Sequence, residues 1–191
     1  MELKDFLSEK RSAILKKWFD AIIETYPPET ASFLKRQKNP FTNPVGSTIL
    51  QGIEGLLGEL INGMDSARLS YFLDNLIRVR AIQDFTPSEA VAFIFHLKGI
   101  IREEIGGGIP EAAVRELPLL EGRIDLLALM AFDIYAKCRE RIYEIRANEI
   151  RNNTFMLLRR ANLISKEEQK RRRAEAQTFV RPSTQPRDQR R

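Results

Sequence analysis

The sequence predicts an all-α protein. Apolar residues recur at three- and four-residue spacing through nearly every segment, and no stretch alternates apolar and polar residues long enough to make a useful strand. Proline, glycine and capping residues then divide the chain at helix-length intervals.

The first helix places Leu7, Ile14, Leu15, Trp18 and Ile22 on one face and stops at Tyr26-Pro27-Pro28, because proline disfavours helical geometry in the residue before it. A short helix follows from about Pro28 to Arg36. Asn43-Pro44 reads as a third start, with asparagine capping free amides and proline at the first position, where its missing N–H costs nothing. Val45, Ile49, Ile53, Leu56 and Leu60 form the stripe behind it. Gly52, Gly55 and Gly58 lie on this helix and each costs roughly 0.8–1 kcal/mol against alanine unless packing offsets it. Close approach of a neighbouring helix is the favoured reading, with a ligand groove as the alternative.

Asp65-Ser66 opens a helix with Leu69, Phe72, Leu73, Leu76 and Ile77 on its apolar face, ending near Gln83-Asp84. Thr86-Pro87-Ser88-Glu89 is the strongest local signal, a reciprocal capping box with proline at the first helical position. The helix behind it runs to Glu104 or Ile105. Gly106-Gly107-Gly108 breaks the chain, a short helix covers Glu111 to Glu116, and Pro118 punctuates again. From about Leu120 to Leu163 one helix of roughly 40 residues, about 60 Å long, is expected. Its first half carries core residues (Ile124, Leu127, Met130, Ala131, Ile134, Tyr135), and beyond Ile145 it turns polar and should project from the globule.

The chain of 191 residues has room for one domain and a terminal extension. The expected divisions are a domain over 1–145, a projecting helix over 146–165 and a basic, largely disordered tail over 166–191. That tail holds nine Lys/Arg and four Asp/Glu, which accounts for the whole formal charge of +5 and leaves 22 residues of each sign before it. A broad nucleic-acid-binding face on the domain is therefore not supported by charge. The lone Cys138 excludes an intramolecular disulfide framework and fits the cytoplasm. The first residues lack the apolar core of a signal peptide, and no run is long and apolar enough for a membrane span.

The chemistry of an enzyme is not visible. There is no phosphate-binding glycine loop, and one histidine with one cysteine cannot make a zinc or iron–sulfur site. No cofactor is expected. On a helical wheel His96 falls roughly 130–140° from the stripe Ala90, Ile94, Leu97, Ile101 and Ile105, a rim position that suits a structural or exposed residue better than a haem ligand. Cys138 reads as an ordinary thiol, since only Lys137, Arg139 and Arg141 stand near it to lower its pKa. Glu103 and Glu104 are adjacent on a helix and point apart. At the end of the Ile77–Phe85 stretch, Arg80 and Asp84 are four apart and can pair, and Gln83 can satisfy the backbone at the turn. The sharper reading makes Arg80, Gln83 and Asp84, together with His96, a surface for a ligand or partner.

Trp18-Phe19-Asp20-Ala21-Ile22-Ile23-Glu24-Thr25-Tyr26-Pro27-Pro28-Glu29-Thr30, Asn43-Pro44-Val45-Gly46 and Val79-Arg80-Ala81-Ile82-Gln83-Asp84-Phe85-Thr86-Pro87-Ser88-Glu89-Ala90 resemble, in order and spacing, the N-terminal domain of the RsbRD-like co-antagonists. The likeness covers roughly residues 8–145. It implies a sensory input domain of bacterial stress signalling, with a globin-like helical fold that lacks haem, dimerises and passes signals along a C-terminal helix. In that group the helix leads to a STAS output domain phosphorylated by a partner kinase. Here a basic tail follows, so a stand-alone form is expected.

Two functions of different class are carried forward. One is a non-catalytic sensor or adaptor acting through ligand or protein contact; the other is a globin-like protein that binds a small ligand or haem. A homodimer is expected to use the long helix, where Leu127, Ile134 and Ile145 fall near a seven-residue pattern with Ile124, Ala131 and Cys138, and where Phe155 lies exposed farther on. The cluster Lys170-Arg171-Arg172-Arg173 offers an electrostatic contact for an acidic partner or an anionic surface. The tail lacks the apolar residues needed to offset its ordering entropy. Deleting 166–191 is thus predicted to leave the thermal midpoint nearly unchanged in a calorimetric scan. A large drop would mean that it docks on the domain.

Overall fold

The computed structural model describes residues 2–37, 39–83, 85–106 and 111–161, with the backbone alone at 111 and 112. Among them are seven helices and no strand: α1 (Leu3–Glu9), α2 (Arg11–Ile23), α3 (Pro28–Arg36), α4 (Pro44–Asn62), α5 (Ser66–Ile82), α6 (Pro87–Ile105) and α7 (Glu111–Arg160).

Local chemistry sets most of the helix ends. Asn43 is buried between two helices and serves both: its Oδ1 accepts the Gly46 amide at 2.8 Å to start α4, and its Nδ2 donates to the carbonyls of Leu34 and Gln37 at the end of α3. Asp65 caps α5 through the Arg68 amide. In α6 the Thr86 hydroxyl accepts the Glu89 amide and the Glu89 carboxylate accepts the Thr86 amide, the full capping box.

Two boundaries differ from expectation. The first helix is broken at Lys10, where ψ is 3°. No proline or glycine marks that point, and the break separates α1, which packs on α4, from α2, which packs on α4 and α6. Pro118 does not end a helix; α7 runs through it from Glu111. The carbonyl deprived of its partner by the proline is that of Val114, and both residues are exposed, where water can serve in place of the lost donor.

The described residues up to Ile142 form one compact unit and those from Tyr143 onward another. In the first, α4 packs most extensively on α5 and α2 on α6, around one core that includes Trp18, Ile53, Leu57, Leu73, Phe93 and Leu97. Trp18 is fully buried and its Nε1 donates to the Phe93 carbonyl at 2.8 Å, fixing α2 against α6. In the second unit, the described residues of α7 from Tyr143 onward are exposed apart from half-buried Phe155.

The glycines of α4 explain its contact with α5. A methyl group at Gly52 would overlap Leu76, and one at Gly55 would overlap the Phe72 ring, so both glycines seat side chains of the facing helix. Gly58, next in the series, has only an Arg11 guanidinium nitrogen at 3.8 Å. Gly55→Ala is therefore predicted to lower stability by about 1–3 kcal/mol through overpacking. Gly58→Ala should raise it by up to about 1 kcal/mol through helix propensity. Urea unfolding of the two variants checks this, and equal losses at both positions would contradict it.

Candidate functional site

The last turn of α5 carries a charge into the interior. Arg80 is 1% exposed. Its Nη2 donates to the Glu89 carbonyl at 3.0 Å and to the Thr25 hydroxyl oxygen at 3.2 Å. Thr25 can accept because its own proton goes to the Ile22 carbonyl. One guanidinium thus ties the end of α5 to the turn after α2 and to the first turn of α6.

Aromatic rings surround it. The guanidinium carbon stands 4.0 Å from the Phe85 ring centre, 5.4 Å from Phe93 and 5.6 Å from Tyr26. Tyr26 meets Phe85 edge-on at 5.3 Å. Cation–π attraction of this kind is worth about 2 kcal/mol when desolvated. It offsets part of the cost of removing the cation from water, a cost of several kcal/mol per ion. Burial pulls the Arg80 pKa below its ordinary value, opposed by the nearby Tyr26 and Glu89, but guanidinium starts so high that it stays charged. Burial also pushes the Tyr26 hydroxyl up, so it is a neutral O–H.

The hydrogen bonding is incomplete. Arg80 Nε and Nη1, the Tyr26 hydroxyl and Gln83 Oε1 are buried without a partner. The hydroxyl stands beside Arg80 and Gln83, both of which oppose the rise that burial gives its pKa. No carboxylate among the described residues makes an ion pair with Arg80. The Glu89 carboxylate is taken by the amide and hydroxyl of Thr86.

Of the surface expected from sequence, Arg80 and Gln83 do come together, although Arg80 is interior. Asp84, the expected partner of Arg80, lies outside the described residues. His96 is exposed on α6 and takes no part in the hydrogen bonds or ring contacts of Arg80. The Gln83 side-chain oxygen does not satisfy the turn. Two residues of α7 bond there instead: Arg139 Nη1 donates to the Ala81 carbonyl at 3.2 Å and the Tyr135 hydroxyl to the Phe85 carbonyl at 2.7 Å. Sequence reasoning missed Thr25, Tyr26, Phe93, Tyr135 and Arg139. Only Tyr26 carried a signal, an aromatic residue at the proline pair that ends α2.

The residues expected at a dimer seam fare differently. Ile124, Leu127 and Ala131 are buried in the core of their own chain, and Ile134 and Cys138 pack against it. Burial pushes the Cys138 thiol up, against the opposing pull of Arg78, which gives no activated thiolate. Ile145 is exposed and Phe155 half-buried, both in the second unit. Lys170, Arg171, Arg172 and Arg173 lie outside the described residues. A separate open groove of about 740 Å³ runs over Gly55 and Gly58 between Arg11, Arg68 and Phe72. Its cations are engaged, Arg68 with Glu59 at 2.8 Å and Arg11 with the Glu54 carbonyl. No group of three potential metal ligands occurs among the described residues, and no helix there is long and apolar enough to cross a membrane.

Residues 12–150 match the family described as RsbT co-antagonist protein rsbRD N-terminal domain. No curated protein and no solved structure matches the chain.

The capping box beside Arg80 makes a pH prediction. The Thr86 amide and hydroxyl hold the Glu89 carboxyl below the ordinary carboxylate range, with a smaller pull from Arg80. A depressed folded-state pKa contributes stability that is present above the ordinary carboxylate value and is lost as pH falls through the lower folded value. Thr86→Val removes the hydroxyl donor and is expected to move the Glu89 titration upward in a carboxyl-detected NMR experiment. An unmoved titration would show that the hydroxyl has no part in it.

Proposed function

We propose, from the premise that this chain belongs to the RsbT co-antagonist rsbRD N-terminal domain family, that it is a non-catalytic sensory or adaptor module of bacterial stress or energy regulation. It acts by binding a ligand or a protein in its helical domain and by contact with a downstream partner. The observation that carries this reading is the match over residues 12–150, which takes in α2 through most of α7. A buried charge left partly unbonded supports it as well, since such groups are costly to keep and cluster at functional sites. Capture of the full chain from its host, followed by identification of the bound proteins, tests it. Regulators or kinases of the stress pathway are expected. Recovery of metabolic enzymes alone would count against the reading.

The module is further proposed to work in the cytoplasm as a homodimer. The Ile124–Cys138 face of α7 is occupied by the core, so the interface must use another. Leu119, Leu126, Leu129 and Phe132 are exposed on the opposite side of the same helix, a solvent-facing apolar stripe that association would cover. Sedimentation at micromolar concentration is expected to give about twice the 22.1 kDa chain mass, and Leu126→Glu with Leu129→Glu should shift it toward monomer. A monomeric intact chain would remove the dimer, and an unaffected double variant would move it to another surface.

A further inference from the structure

We propose that the second unit pairs with itself: residues 143–161 join the same residues of a second copy of this chain as an antiparallel two-stranded coiled coil, with the two-fold axis beside Asn152. The contact lies wholly within that unit, is distinct from the Leu119–Phe132 stripe of the first, and does not depend on the regulatory reading of the domain.

Spacing comes first. Tyr143, Ala147, Ile150, Thr154, Leu157 and Ala161 follow one another at alternating intervals of four and three residues, which keeps all six within about 40° of one line along the helix. That alternation is the a/d repeat of a coiled coil, and a surface with this period fits another helix that supercoils with it. All six are exposed, and the large ones most of all: Tyr143, Ile150 and Leu157 are 55%, 67% and 65% exposed. Ile145 and Met156 fall on the opposite side of the helix.

Side-chain size selects the partner and its direction. The large residues Tyr143, Ile150 and Leu157 hold one of the two repeat positions, and the small residues Ala147, Thr154 and Ala161 hold the other. In a parallel pair each layer joins a residue to its own copy. Layers of two large side chains would then alternate with layers of two small ones, and helices at one separation would leave a void in every second layer. In an antiparallel pair every layer joins a large residue to a small one. The stripe meets that requirement with itself, because its six residues stand nine, five and two positions to either side of Asn152. One two-fold rotation therefore sets Tyr143 against Ala161 of the second copy, Ala147 against Leu157 and Ile150 against Thr154, in six layers over about 27 Å. A two-fold interface needs this property, that residue i meets j where j meets i. Arg151 lies on the shoulder of the stripe, one residue from the axis, and faces its own copy, so screening by salt favours the pairing.

Disulfide cross-linking of the full chain tests both the contact and its direction. Cys138→Ser removes the one native cysteine, and Ala147→Cys and Leu157→Cys are added to it singly and together. Each protein is oxidised at high salt over a concentration series and read on a non-reducing gel. The double variant, and an equal mixture of the two single variants, are expected to give linked dimers. Each single variant alone should stay monomeric on the gel. Antiparallel copies hold like residues ten positions apart along the axis, about 15 Å, beyond the ~7 Å between Cα atoms that a disulfide spans. Ile150→Glu, within the stripe, should abolish the cross-link, and Ile145→Glu, on the opposite side, should leave it intact. All of these positions are exposed, so the variants should fold. Cross-linking of the single variants would mean parallel helices and would overturn the proposal. So would a double variant that gives no dimer, or a link that survives Ile150→Glu. The same cross-link made in the Leu126→Glu, Leu129→Glu background keeps this contact distinct from the dimer of the first unit: it is expected to form there as well, and its loss there would overturn the second unit as an interface of its own.

Discussion

A single guanidinium withdrawn from water organises the junction on which this domain depends. Arg80 reaches from the end of α5 to the turn after α2 and the first turn of α6, and its bonds to Thr25 and Glu89 span 55 and 9 residues of sequence. Helix packing alone leaves helix ends free to slide by a turn, because ridges and grooves repeat along the axis. A charge that must be surrounded by particular rings and oxygens has no such freedom. The register of three helices is thus fixed by polar geometry, while their attraction comes from the apolar stripes of the core.

The junction is closed from the other side by α7. Tyr135 and Arg139 lie one turn apart and donate to the Phe85 and Ala81 carbonyls, which flank the α5–α6 turn. Orphan carbonyls at the end of a buried helix are costly, and here a neighbouring helix supplies the donors. The same stretch of α7 buries Ile124, Leu127 and Ala131 in the core, so one face of this helix both packs and caps.

The fold was legible in the sequence wherever a local rule decided it. Asn43-Pro44, Asp65-Ser66 and Thr86-Pro87-Ser88-Glu89 announced the starts of α4, α5 and α6, because a side-chain acceptor and a proline act within one turn of themselves. The spacing of Gly52, Gly55 and Gly58 predicts seats for a neighbouring helix, and the first two are such seats, but nothing in the spacing separates them from Gly58, which seats nothing from α5. What was not legible was settled at a distance. The break at Lys10 separates two helices that both pack on α4, and Pro118 lies on an exposed stretch of α7 where water can serve the freed Val114 carbonyl. The seven-residue pattern of α7 marks an apolar face that is buried from Ile124 to Ala131 and exposed at Ile145, and it could not say whether that face belonged to the same chain or to a second one. At the site, Arg80 and Gln83 could be picked out as polar groups among apolar ones. Their enclosure by Tyr26 and Phe93 depended on how α2 and α6 fold back against α5.

The protein's one tryptophan sits at the centre of this arrangement. Trp18 is fully enclosed, its indole N–H is bonded to the Phe93 carbonyl, and its ring centre is 6.3 Å from the Phe93 ring that also faces Arg80. Indole emission depends on the polarity around the ring and on the fate of that N–H. The chain therefore contains its own optical gauge: any separation of α2 from α6, or any intrusion of solvent at the aromatic cluster, is written into the colour and intensity of a single fluorophore with no competing tryptophan to blur it.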